Sequence, residues 1–262
     1  MAFDINNFVI DRIVRGVALS QRDDSVLFSI NQIQNASLNC ASESTDAVDA
    51  MGTPIATFYR AKTAEFSAEN ALFDMNLMAT QLGTTKSVAN AGKKITVPAM
   101  ETFIVPAKAE GANNATYTLK HTPKAVPSEI YAINGDSTFG TKYVLETSAT
   151  AETWVNTFAV SGNVITLPSA LAEGTEMFVM YDYESENAVE VVNSANNFPV
   201  GCKFVMEVLG CDVCDQTNLV YAYVIFNNAK LSPDFDWSIA TDGTHPFSMK
   251  AQQDLKYRSL AA

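Results

Sequence analysis

One segment of this chain, Ser67 to Leu82, carries the spacing of an amphipathic helix, and almost every other apolar run alternates or is short. A lone helix in a strand-rich chain has few places to go, and the usual one is against a sheet. The segment reads as about four turns: Ser67 in N-cap position, Phe66 before it to staple onto Ala71, and Glu69 at the positive end of the dipole. Leu72, Met75, Ala79 and Leu82 then recur at spacings of three, four and three, which predicts one buried stripe, and Gly83 supplies a left-handed stop. Directly before it, Ile55 to Ala64 alternates Ile55, Thr57, Tyr59 and Ala61 with Ala56, Phe58, Arg60 and Lys62, the period of a strand with one covered face.

The rest of the chain is strand and turn. Residues 4–20 are apolar with mixed period. Val26 to Ile33 and Ala36 to Cys40 read as a hairpin joined at Gln34-Asn35, and the small acidic stretch Glu43 to Met51 reads as a loop leading to Gly52-Thr-Pro54. From Pro98 the pattern changes. Six or so short strands, separated by Asn134-Gly135, Phe139-Gly140, Ser161-Gly162 and Glu173-Gly174, predict an immunoglobulin-like sandwich over residues 98–190. After Val189 the pattern of the N-terminal part returns: Phe204, Met206 and Val208 share a face against Lys203, Val205 and Glu207, as Phe247, Met249 and Ala251 do against Ser248, Lys250 and Gln252, with a tight turn expected at Thr241–Thr244. The expected organisation is therefore a split sheet domain, residues 1–97 and 191–262, with residues 98–190 inserted. At 262 residues the chain suits two domains on a prior of roughly 150 each. The expected fold class is mainly β: an antiparallel sandwich or half-barrel with one packing helix, plus the inserted sandwich.

Charge and motifs narrow the function classes. A formal charge of −12 argues against an ordinary nucleic-acid surface, and the 17 basic residues form no cluster. The acid is uneven, since Glu110 to Glu190 holds 11 acidic residues against Lys120, Lys124 and Lys142. No run approaches the roughly 20 apolar residues of a membrane span, and Met-Ala-Phe-Asp-Ile lacks the character of a signal peptide, so synthesis in the cytoplasm and no membrane partner are expected. The cysteines Cys40, Cys202, Cys211 and Cys214 are expected as thiols. Cys211-Asp-Val-Cys214 has the spacing of half a zinc site; Cys40, Cys202 or His245 would have to complete it, and the bland alternative is a hairpin loop with idle thiols.

For catalysis the chain offers His121 and His245, with no Gly-x-Ser-x-Gly or His-Glu-x-x-His pattern, so a satisfied or exposed loop histidine is the expectation for His245 and no enzyme or cofactor is expected. Glu184 and Glu186, with Asp182 near, read as a solvated acidic rim. Phe139, Tyr143, Trp154 and Phe158 are expected as core of the insert, and would stack on sugars if exposed.

The order Val26 to Ile33, the acidic stretch ending in Met51-Gly52, the strand from Ile55, the segment Ser67 to Thr80, and the C-terminal Ala229 to Asp236 and Asp242 to Ala251 together resemble virion structural proteins of large tailed bacteriophages, of the major tail tube type. The resemblance covers residues 20–100 and 190–256. It implies a sandwich or half-barrel flanked by one helix, six copies closing into a ring, and rings stacking through long loops and an N-terminal arm into a conduit through which genomic DNA passes without sequence-specific binding. It also implies a place in the virion tail beside other tail proteins, with immunoglobulin-like insertions on the outside. On that basis Glu43, Asp46, Asp49, Met51 and Gly52 are candidate inter-subunit contacts. The alternative is a capsid decoration protein or tail fibre adhesin that binds host-surface glycans through the insert.

Overall fold

The structure is a computed structural model and describes residues 8–146, 155–213, 215–252 and 255–259. It divides into two compact units, one formed by Met1–Lys86 with Val191–Ala262 and the other by Ser87–Glu190. The first unit opens with strands β1 (Phe8–Ser20), β2 (Val26–Ile30), β3 (Ile33–Val48) and β4 (Pro54–Asn70) and helix α1 (Met75–Gln81). The inserted unit holds β5 (Ser87–Val88), β6 (Ile95–Ile104), β7 (Thr116–Thr118), β8 (Glu129–Ile133), β9 (Phe139–Leu145), β10 (Thr157–Ser161), β11 (Val164–Thr166), β12 (Glu176–Ser185) and β13 (Val189–Glu190). The chain then returns to the first unit with β14 (Gly201–Asp212), β15 (Asp215–Leu231), β16 (His245–Ala251) and β17 (Leu255–Ser259).

In the first unit one antiparallel sheet runs β2-β1-β14-β15-β16-β4-β3, with β17 also paired to β15. Its curvature follows from the ring contacts. Phe28 on β2 lies 6.5 Å from Phe247 on β16, although four strand spacings separate them and a flat sheet would set them about 19 Å apart. The sheet therefore curls into a half-barrel, and its two end strands, β2 and β3, are joined by only Asn31 and Gln32. Phe28, Phe66, Phe204, Phe226 and Phe247 fill the concave side with Met206, Val208, Met249 and Leu77 of α1. Burying each such ring stabilises the fold by about 1.5–3 kcal/mol. The alternation expected at Phe204 and Phe247 is what delivers them to this side. Gly16 on β1 is required by the same packing, because a Cβ there would stand 2.7 Å from Cζ of Phe204 and 2.9 Å from Cδ1 of Ile33.

Several expectations need correction. The helix does not begin at Ser67: β4 continues to Asn70, and α1 starts at Met75, capped by Asp74, whose carboxylate accepts from the amides of Asn76 and Leu77 at 2.8 Å. Residues 65–70 are held as strand because β16 pairs with them on one side and β3 on the other, and that pairing overrides local helical preference. The stripe is accordingly broken. Leu72 precedes the helix and is 60% exposed, Met75 and Leu82 are half-buried, and Ala79 is buried beside Leu77, Thr80 and Gln81. The helix does end at Gly83, at a φ of +66°, where a Cβ would collide with the Phe198 backbone at 2.2 Å.

The expected hairpin of Val26–Ile33 with Ala36–Cys40 is also absent, since β2 pairs with β1 and β3 pairs with β4. Gln34-Asn35 is a bulge inside β3, with Asn35 at a φ of +51°. Most of Glu43 to Met51 is strand rather than loop, as β3 reaches Val48. The turn at residues 241–244 exists, with Gly243 N–H donating to the Ala240 carbonyl at 3.0 Å, yet it joins no hairpin, because β16 pairs with β15 and β4.

The inserted unit begins at Ser87 rather than at residue 98, because β5 pairs with β13 and β6 pairs with β12 from Ile95 onward. Its seven-stranded order is β6-β12-β8-β9-β10-β11-β7, antiparallel apart from the parallel β9–β10 pair. Its own core is built on Phe103, Leu119, Ile130, Phe158, Ile165 and Met177. Glu101 is buried among them, 2% exposed, and accepts from the hydroxyls of Tyr117 and Tyr181 and from the Lys120 amide. Of the aromatics expected as core, Phe158 is fully buried and Tyr143 packs against the same core, whereas Phe139 is 61% exposed. Trp154 lies outside the described residues.

Candidate assembly surface

Strands β3 and β4 leave the sheet together. The last pair between β4 and β16 is Glu65 with Lys250; from Ala64 to Pro54, β4 pairs among the described residues with β3 alone, and the ladder runs on to Val48 and Pro54. This makes a two-stranded arm about 25 Å long at strand rise. Every residue from Ala41 to Lys62 is exposed. Among them are Met51 at 91%, Tyr59 at 73%, Ile55 at 71% and Phe58 at 56%. A bare hairpin is only marginally stable by itself, and one that shows large apolar side chains to water is built for contact.

The arm is internally organised. Ala61 sits at a φ of +42°, unusual for a residue with a Cβ, where the register shifts from Ser42↔Lys62 to Glu43↔Arg60. The extra residue reverses the alternation, so the faces read from sequence hold only up to this bulge, which also bends the strand. Beyond it, Tyr59 pairs with Ser44 and Phe58 with Thr45, neighbours that cannot lie on one face, so both faces of the arm carry an aromatic ring. The Thr57 hydroxyl donates to Asp46 at 2.7 Å and ties the two strands.

At the tip, the Asp49 carboxylate accepts from the amides of Met51 and Thr53 at 2.8 and 2.9 Å, and Gly52 takes a φ of +84°. Those amide bonds hold the Asp49 carboxyl below the usual carboxylate range. The five residues singled out from sequence thus fall on one arm: Glu43 and Asp46 on β3, and Asp49, Met51 and Gly52 in its turn. Sequence reasoning misses Val48, Ile55, Phe58 and Tyr59, because alternation in a strand ordinarily signals a covered face.

Elsewhere, the convex side of the sheet is clamped by Glu207 on β14, which accepts from Arg15 Nε at 2.6 Å and from the Tyr223 hydroxyl at 2.9 Å. The Arg15 hydrogen bond, followed by that from Tyr223, holds the Glu207 carboxyl down despite partial burial. Cys211 is half-buried near the end of β14, Cys40 is exposed and Cys202 buried; Cys214 lies outside the described residues. Among the described residues no three His, Cys, Asp or Glu side chains gather as metal ligands would. Burial pushes the Cys202 thiol up to about 11, which keeps it protonated. His245 is no exposed loop residue: it opens β16 and is 1% exposed. His121 stacks on Tyr183 at 3.9 Å in the inserted unit.

This is a curled antiparallel sheet with an exposed apolar hairpin and, among the described residues, outer edges of β2 and β3 without a strand partner, the architecture of a β-protein with surfaces to offer a neighbour. A profile of the YomU/Tube protein family matches residues 8–256. The chain belongs to that family of phage tube-like proteins, and membership implies a structural virion component that assembles with itself and with other tail proteins. A search of curated proteins returned no match.

Proposed function

We propose that this chain is the tail tube subunit of a tailed bacteriophage, six copies closing into a ring and rings stacking into the conduit through which DNA leaves the virion. The observation that carries this reading is the β3–β4 arm, whose exposed Ile55, Phe58, Tyr59 and Met51 need a protein partner and lie beyond the reach of the unit's own core. In the ring, the arm lies against a neighbouring copy, and the outer edges of β2 and β3 meet edges of neighbours, which removes the hazard of unpaired backbone. No catalytic role enters. DNA contact is without sequence preference, in keeping with the absence of basic clusters in the sequence.

Purified protein at high concentration, viewed by negative-stain electron microscopy, is expected to show rings or tubes with six-fold end views. A species that stays monomeric at every concentration overturns the reading, and rings of another symmetry overturn its hexameric part. Removal of the arm tip, residues 46–56 replaced by a two-residue turn, is expected to leave a folded monomer and no tubes.

A further inference from the structure

Asn70 and His245 are direct partners across β4 and β16, so both side chains leave the sheet on one face with Cβ atoms about 5 Å apart. Both are buried, 2% and 1% exposed, and each keeps one atom without a hydrogen-bond partner among the described residues, Oδ1 of Asn70 and Nδ1 of His245. Their remaining polar atoms are committed. Asn70 Nδ2 donates to the Leu72 carbonyl at 2.5 Å. Gln81 Nε2 donates to the Pro246 carbonyl at 3.2 Å, which turns Gln81 Oε1 toward His245 Nε2 at 2.8 Å. A carbonyl can only accept, so Nε2 carries the ring hydrogen and Nδ1 bears the lone pair. The one position in this cluster open to a proton is His245 Nδ1.

The ring is covered by aromatics from two other segments. Phe73 stacks on it at 5.3 Å and 21°, Trp237 stacks on Phe73 at 4.3 Å and 14°, and Phe235 approaches the ring at 5.8 Å. Hydrating His245 requires these covers to move: Phe73 lies on the ring itself, and the segment carrying Phe235 and Trp237 lies against both the ring and Phe73. The charged groups on the elements around it are few. Asp74 at the helix cap favours a positive ring, but its carboxylate is engaged by the Asn76 and Leu77 amides. Glu69, next to Asn70 and on the opposite strand face, accepts from Asn35 and Thr244. Asp234 and Asp236 flank Phe235, Asp242 precedes β16, and Lys250 at the far end of β16 is paired with Glu65.

We propose that His245 is an acid-operated release for segment 232–244: proton uptake at Nδ1 places a charge in this covered position, and the segment bearing Phe235 and Trp237 lifts to hydrate it. Burial, only partly opposed by Asp74, holds the His245 pKa below the ordinary histidine value. The sign follows. The neutral ring is the form the closed state favours, so closure is fully stable above the free-histidine pKa of about 6.5 and is lost as pH falls toward the lower pKa of the closed state. Within that window the closed-to-open ratio falls about tenfold per pH unit, the slope of one proton.

The test uses the full chain with Trp154→Phe, which leaves Trp237 as the only tryptophan. Its emission is expected to shift to the red as pH is lowered from about 7.5 to about 4.5, reversibly and with a midpoint below the free-histidine value of about 6.5. His245→Gln, which keeps a hydrogen-bonding partner for Gln81 and takes no charge, is expected to remove the transition. An unchanged transition in H245Q, or none in the parent, overturns the proposal. Should H245Q fail to fold, the ring C–H resonance of His245 in the parent decides: a midpoint shared with Trp237 emission supports the release, and a different one refutes it.

Discussion

The two halves of the β3–β4 hairpin are made by the same pair of strands in one continuous ladder, yet they live in opposite surroundings. At the root, Phe66 and Ala68 face a closed core and β16 pairs the outer edge of β4. Past Ala64 the ladder continues while core and third strand both stop. The difference teaches that backbone pairing alone does not decide which residues serve stability. What lies across the sheet decides it, so large side chains at the tip are free to serve a partner. Residues of like chemistry, Phe66 and Phe58, should therefore give contrasting phenotypes.

The largest effect is expected at the root. Phe66 contacts Phe204, Phe226 and Phe247 at centroid distances of 5.8–5.9 Å, and Phe66→Ala should cost about 3–5 kcal/mol, read as a lower urea midpoint of Trp237 emission in the Trp154→Phe background. A loss under about 1 kcal/mol would mean that the root is no better supported than the tip, and the contrast would collapse. Asp74→Ala, just past the root, should cost about 1 kcal/mol through loss of two amide hydrogen bonds at the start of α1, with Asp74→Asn retaining most of it. That substitution sharpens the comparison, because it weakens the element that contributes Leu77 to the core while leaving assembly intact.

The half-barrel was legible in sequence where alternation and burial coincide. Phe204, Met206 and Val208, or Phe247 and Met249, sit in strands with one face covered, and period two then names the core. Legibility failed where the deciding partner is remote in sequence. Ser67 looks like an N-cap until β16, some 180 residues later, pairs with it. Gln34-Asn35 looks like a hairpin turn until the curl of the sheet sends β2 and β3 to opposite ends of the strand order. Small acidic residues such as Glu43 and Asp46 carry no strand signal, because a ladder exposed on both faces needs no alternation. The arm was partly visible in sequence through its tip. Its aromatic residues were not, since nothing local says that β4 outlives its core.

The smallest effect on stability, and the one that tests the contrast most sharply, belongs to the tip. In Ile55→Ser with Tyr59→Ser, two of the most exposed large side chains of the arm are removed while the backbone ladder, the Thr57–Asp46 bond and the Asp49 turn all remain. The unfolding free energy read from urea titration should change by no more than about 0.5 kcal/mol, the range for exposed positions away from special features. Sedimentation should nevertheless show the assembled fraction disappear, because an interface depends on a few buried large side chains rather than on total area. Full assembly in this variant would show that the arm's backbone edge, and not its side chains, makes the contact. A large fall in stability would show instead that the tip packs within its own chain, and the separation between root and tip would be lost.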